Sequence, residues 1–266
     1  MSTPILRLAI PPRLAVLPRF LLPVTIFATF GAIARADEAL VAVAANFAGA
    51  AQAIADAFSA ETGHSVQLTT GSTGKLYAQI VEGAPFDILL SADTATPLRI
   101  AAEGLGSSDS SFVYALGGLS LYSRDEARIG TNPVAALTAD DVLFIAIANP
   151  DLAPYGVAAQ EALQSLGVWE NISTRIVMGQ NIGQTFSLVD TGAAQLGLIA
   201  TSALQGPNLE PRGSRYDLPQ DLFNPITQSA ILLYPGAENT AAIAFLDYLQ
   251  GDVATGIIGT FGYGTD

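Results

Sequence analysis

Residues 70–76, Thr-Gly-Ser-Thr-Gly-Lys-Leu, gather glycines, hydroxyls and the chain's one lysine, the residue types that cradle phosphates. The spacing excludes a nucleotide loop. A P-loop places four residues between its first glycine and Gly-Lys, then a Ser or Thr for magnesium. Here only Ser72 and Thr73 separate Gly71 from Gly74-Lys75, and Leu76 follows. What remains is a hydroxyl-bearing turn between an apolar run (Val66, Leu68) and a helical pattern (Leu76, Ile80). Such a turn aims backbone N–H groups at an anion. Lys75, just past the turn, is expected to point to solvent.

Three further stretches share this design. Ala45-Asn46-Phe47 follows a first apolar run, Pro154-Tyr155-Gly156 follows "LFIAIANP", and Asn181-Ile182-Gly183 follows "RIVM". Any one of them reads as an ordinary cap or turn. Four together, each at a strand end that enters a helix, describe an anion site at the carboxyl edges of parallel strands.

Other chemistry is poorly supplied. With one His and no Cys, His-based triads, Cys-His pairs and His-based zinc sites are unavailable or incomplete. His64 reads as a solvated or capping residue past a helix end, Asp140-Asp141 as a helix N-cap, and Asp87 and Asp93 as turn or capping residues. No catalytic residue and no cofactor is expected.

The elements that must position the four loops alternate along the chain. Strands are expected over residues 40–45, 65–70, 86–91, 142–148, 175–178 and 195–200, several of them apolar at successive positions, as in strands covered on both faces. Helical faces lie between them, for example Ala50, Ile54, Ala57 and Phe58. Alternation of this kind predicts α/β architecture with parallel sheets and right-handed crossovers. Two helix-free interruptions, "FVYALGGLSLYS" and "ITQSAILLY", predict one outgoing and one returning strand crossing, the latter after a Pro- and Gly-rich loop over 206–225. The expectation is two lobes: residues 37–116 with 227–266, and residues 117–226.

Residues 1–36 read as an export signal. Arg7, Arg13 and Arg19 precede an apolar run from Phe20 to Ile33, and Ala34-Arg35-Ala36 is an A-x-A cleavage site. Of 11 Lys and Arg, four arginines lie in that segment, which holds no acid; seven remain against 24 Asp and Glu, a net charge of about −17. Nucleic acid is therefore not an expected partner.

Five stretches, "VAVAANF", "GSTGKLYAQIVEGAPFDILLSAD", "AIANPDLAPYGVAAQEALQSLG", "GQNIGQTFSLVDTGAAQLGLIA" and "FLDYL", resemble the periplasmic molybdate-binding proteins of ABC transporters, over nearly the whole chain after residue 36. The resemblance implies a two-lobed periplasmic-binding-protein fold, type II-like, with parallel-rich sheets joined by a two-crossing hinge. It implies a monomeric periplasmic protein, cleaved after Ala36, that closes on molybdate or tungstate and delivers it to an ABC permease in the inner membrane. Asn46 takes the place of the family's first-loop polar ligand and Thr73 that of the second-loop hydroxyl, with Ser72 beside it. Ile182 matches a backbone N–H donor. Tyr155 falls where some members place an alanine and others a tyrosine hydroxyl. Members with the alanine carry a separate tyrosine where this chain has Ala200, so the chain falls in the Tyr155 subtype. Sulfate or another tetrahedral oxyanion is the alternative ligand. A secreted α/β hydrolase using Ser72 or Ser91 is the alternative class, and it lacks the G-x-S-x-G elbow.

Overall fold

The computed structural model describes residues 37–207 and 212–264. The expected export signal and cleavage site, residues 1–36, and residues 208–211 and 265–266 lie outside the described residues. The runs of successive apolar residues become strands because both of their faces are covered. In β1 (Glu38–Ala44), Val41, Ala42 and Val43 are fully buried, and so is all of β3 (Ile88–Leu90). Helices α1 (Ala48–Thr62), α2 (Thr73–Val81) and α3 (Ala95–Ala102) alternate with β1, β2 (Ser65–Gly71) and β3. Gly63 ends α1 at φ +77°, donating its N–H to Ser59, a left-handed cap that glycine adopts without a Cβ penalty.

The chain then crosses over. β4 (Phe112–Gly117) and β5 (Leu119–Ser123) are separated by Gly118 alone. Beyond them come α4 (Pro133–Thr138), β6 (Ile145–Ala148), α5 (Pro154–Ser165), α6 (Trp169–Ile172), β7 (Ile176–Gly179), α7 (Ile182–Asp190), β8 (Leu196–Ala200) and β9 (Ser214–Asp217). β10 (Ile226–Leu232) returns, followed by α8 (Thr240–Leu249) and α9 (Asp252–Thr260).

Two five-stranded sheets result, in the orders β2-β1-β3-β10-β4 and β7-β6-β8-β5-β9. In each, the three βα strands are parallel, β1 to β2 and β3, and β6 to β7 and β8. The crossing strands run antiparallel to them, β10 beside β3 and β5 beside β8. The parallel pairing therefore holds within the βα units, while β10 and β5 enter their sheets from the opposite end. This is the two-lobed periplasmic-binding-protein fold.

Two readings are corrected. The loop expected over 206–225 contains β9, whose four residues pair with β5 at the sheet edge, Tyr216 opposite Leu121. Asp140-Asp141 is not an N-cap; it lies in a turn after α4, where Asp141 pairs with Arg128 at 2.8 Å. Each lobe has its own core. Phe47, Phe58 and Phe245 centre the first. Leu163, Ile145 and Leu198 belong to the second, and that cluster also takes in Ala44, at the end of β1, and Ala92, in the loop after β3, from the first lobe.

Candidate functional site

The end of β2 carries Gly71 and Ser72 into α2. Ser72 stands at the N-cap with extended backbone (φ −73°, ψ 150°), yet its hydroxyl makes no capping bond. The side chain is 3 % exposed and Oγ has no partner among the described residues. Thr73 Oγ1 accepts the Ala92 N–H at 3.2 Å, which leaves its proton free for another acceptor. The Gly74 N–H, unused within the helix, crosses to the second lobe and donates to Leu152 O at 2.9 Å.

In the second lobe, Pro154 opens α5 with its fixed φ, and Tyr155 follows. Tyr155 is 1 % exposed and its hydroxyl has no hydrogen-bond partner among the described residues. Burial pushes this phenol well above its ordinary pKa, so it stays a neutral donor. Asn181 caps α7, its Oδ1 accepting the Gln184 N–H at 2.9 Å. That cap holds Ile182 at the first helical position, where a backbone N–H has no intrahelical acceptor.

Asn46 lies in the 3₁₀ turn Ala45–Phe47 that leads into α1. Its Nδ2 donates to Gln228 Oε1 at 2.6 Å and to Tyr263 Oη at 3.2 Å. The side-chain amide is thus directed at β10 and the segment after α9, and the backbone N–H groups of Ala45 and Asn46 are what this turn leaves without a carbonyl inside it.

Asn46, Ser72, Thr73, Tyr155 and Ile182 line one cavity of about 10 Å³, together with Ala44, Ala45, Gly71, Ala92 and Asn181 among others. That volume is roughly one water-sized sphere. None of the lining residues is charged, and Lys75 is exposed and outside the lining. A groove of about 440 Å³ adjoins the cavity, sharing Thr73, Ala92, Ala153 and Pro154 with it. Uncharged and lined by donors, the cavity suits an anion that brings acceptors only.

Behind it lies a buried polar network that the sequence reading missed. Gln228, fully buried on β10, accepts from Asn46 and, at 3.3 Å, from Tyr114 Oη. Tyr263 Oη donates to Asn46 O at 2.6 Å and reaches Ser202 Oγ at 2.9 Å. Burial raises Tyr114 and Tyr263, the latter to about 12. One signal was available: Gln228 is the large polar residue inside "ITQSAILLY", an otherwise strand-like run.

Among the described residues, neither alternative nucleophile, Ser72 or Ser91, is hydrogen-bonded to a histidine. His64 sits past α1, where Nδ1 accepts the Asp37 N–H at 3.1 Å and the ring stacks on Phe58. Ser91 Oγ donates to Asp93 at 3.0 Å, and Asp93 also accepts the Thr96 N–H at 2.8 Å near the start of α3. Asp87 is structural, holding the Leu40 N–H at 2.7 Å and Asn239 Nδ2 at 3.0 Å.

Residues 39–264 match the family described as bacterial extracellular solute-binding protein. The molybdate-binding protein ModA of Rhodobacter capsulatus is 42% identical over 233 residues, covering 88% of this chain and 90% of that protein. ModA of Azotobacter vinelandii is 41% identical over 231 residues, covering 87% and 91%. The solved structure of the Azotobacter vinelandii periplasmic molybdate-binding protein superposes with a TM-score of 0.82 at 34% identity, covering 86% of this chain and 99% of that one.

Proposed function

Because this chain belongs to the bacterial extracellular solute-binding proteins, and among them to the molybdate-binding proteins, we propose that it binds molybdate between its lobes and hands it to an ABC permease in the inner membrane. Asn46, Ser72, Thr73, Tyr155 and Ile182 are the ligating residues in this reading, Asn46 through its backbone N–H. Tungstate binds at the same place. The protein works as a periplasmic monomer after removal of residues 1–36, with lobes formed by residues 37–116 plus 227–266 and by residues 117–226.

The observation that carries the reading is the pair of buried, unpartnered hydroxyls, Ser72 Oγ and Tyr155 Oη, at a cavity lined by uncharged residues. An unsatisfied buried polar group costs about 1–3 kcal/mol, and a bound oxyanion relieves both. Hydrogen bonds to a charged group contribute roughly 1.5–3 kcal/mol each, so a shell of neutral donors can hold a dianion without a salt bridge. The lobes open to admit the anion and close around it. The net charge of about −17 on residues 37–266 opposes the approach of an anion. Salt screens that field within about 8–10 Å.

Titration calorimetry of the purified protein tests the reading, with elemental analysis of the protein as isolated from cells. Saturable one-to-one heat with molybdate, and molybdenum carried through purification, are expected. Absence of heat with both molybdate and tungstate refutes it.

A further inference from the structure

We propose that Gln228 is a positioning residue for the bound oxyanion, turning the Tyr155 hydroxyl into a one-way donor. The inference rests on the oxyanion reading above and deepens it. Three buried side-chain atoms among the described residues lack a partner: Ser72 Oγ, Tyr155 Oη and Gln228 Nε2. The first two line the cavity. The third does not, and the network that holds Gln228 leaves it unexplained.

Gln228 Oε1 accepts from Asn46 Nδ2 at 2.6 Å, and Tyr114 Oη lies 3.3 Å away, its one proton shared with Ser91 O at 3.0 Å. An amide with its oxygen committed on one side must present its nitrogen on the other. That other side is Gly117, on the outgoing crossing strand. A Cβ built on Gly117 would meet Gln228 Nε2 at 3.1 Å and would collide with the Tyr155 hydroxyl. The two orphaned groups therefore face the same glycine, one from the returning strand β10 and one from α5 of the second lobe.

A phenol has one proton to give and lone pairs to accept with. When an oxygen of the ligand takes the Tyr155 proton, the amide N–H of Gln228 is the buried donor positioned to fill the phenol's acceptor side. Both orphans are then satisfied together, and Tyr155 cannot turn its lone pair toward the ligand. Gln228 thus holds Asn46, a candidate ligating residue of the first lobe, and faces the same glycine as Tyr155, one of the second.

A double-mutant cycle tests this by calorimetry with molybdate, using Gln228→Met, Tyr155→Phe and the pair. Gln228→Met also removes the acceptor of Asn46, whose amide acts on the Tyr155 phenol, so a parallel cycle of Asn46→Ala with Tyr155→Phe measures that share and the Gln228 coupling is what exceeds it. The expected result is a loss of about tenfold more affinity from Gln228→Met when Tyr155 is intact than when it is Phe. Gln228→Leu, which likewise carries no donor and no charge, supplies the same cycle if the methionine variant does not fold. Equal losses in both backgrounds overturn the inference and leave the oxyanion reading standing. A wild-type protein that binds no molybdate overturns both.

Discussion

Replacing Gly74 separates closure of the lobes from ligation of the anion. Gly74 is the second residue of α2, and its N–H reaches across to Leu152 O at 2.9 Å. A Cβ there would lie 3.1 Å from Leu152 O and 3.3 Å from Leu152 Cα. Both neighbours are backbone and cannot rotate aside, so the added methyl is accommodated only if the lobes separate by a few tenths of an ångström. The cross-lobe hydrogen bond lengthens by about as much. Losing it costs about 0.5–1.5 kcal/mol, or roughly two- to tenfold in molybdate affinity for Gly74→Ala. Gly74→Val adds branching at the same point and weakens binding further. Within a helix, alanine in place of glycine is worth about 0.5–1 kcal/mol of added stability, so the ligand-free protein should melt no earlier than wild type. Calorimetry reads the affinity, and small-angle scattering reads the radius of gyration with ligand bound. Wild-type affinity and an unchanged radius in both variants would refute the argument that this contact limits closure.

Tyr155→Phe should weaken molybdate binding by about 1.5–3 kcal/mol, the value of one hydrogen bond to a charged group, and calorimetry decides it. Competition titrations near neutral pH should rank tungstate close to molybdate, sulfate weaker and phosphate weakest. Monohydrogen phosphate brings a proton into a shell of donors, a mismatch of about 1–3 kcal/mol; phosphate binding as tight as molybdate contradicts the all-donor shell. Alkali should destabilise the fold through Tyr263, whose phenol is raised to about 12. The unfolded chain ionises from about pH 10, so this stability is intact below that and is lost between about pH 10 and 12, at up to ~1.4 kcal/mol per pH unit. Thermal melts of wild type and Tyr263→Phe over that window should show a shallower decline in the variant. Intact mass of exported protein should place the N-terminus at Asp37; a retained hydrophobic segment contradicts cleavage after Ala36.

The βα units were legible because burial on both faces leaves a local mark. Ile88-Leu89-Leu90 and Val41-Ala42-Val43 are unbroken apolar runs, and both became fully buried strands. β9 left no such mark: Ser-Arg-Tyr-Asp is polar and lies at a sheet edge, so only its pairing with β5 defines it. The four loops could be read because each is a short polar turn between two patterned elements. The network behind them could not, because its partners are remote. Asn46 lies 182 positions from Gln228 and 217 from Tyr263. Local spacing carries no trace of such pairs.

The place of β10 dictates an order of assembly. It separates β3 from β4 in the first sheet, and β4, at the edge, has no other neighbouring strand. A chain emerging from its N-terminus therefore completes every strand of the second lobe before the first lobe's sheet can close. Until then β3 offers the open edge of a fully apolar segment, Ile88-Leu89-Leu90, the kind of edge that recruits other chains. The second lobe lacks this handicap, since β5 to β9 are consecutive. It can fold as a unit while the first waits, and non-local pairing of this sort is slow. The lobe that begins the chain is thus the last to finish, and its exposed interval sets the need for protection against aggregation.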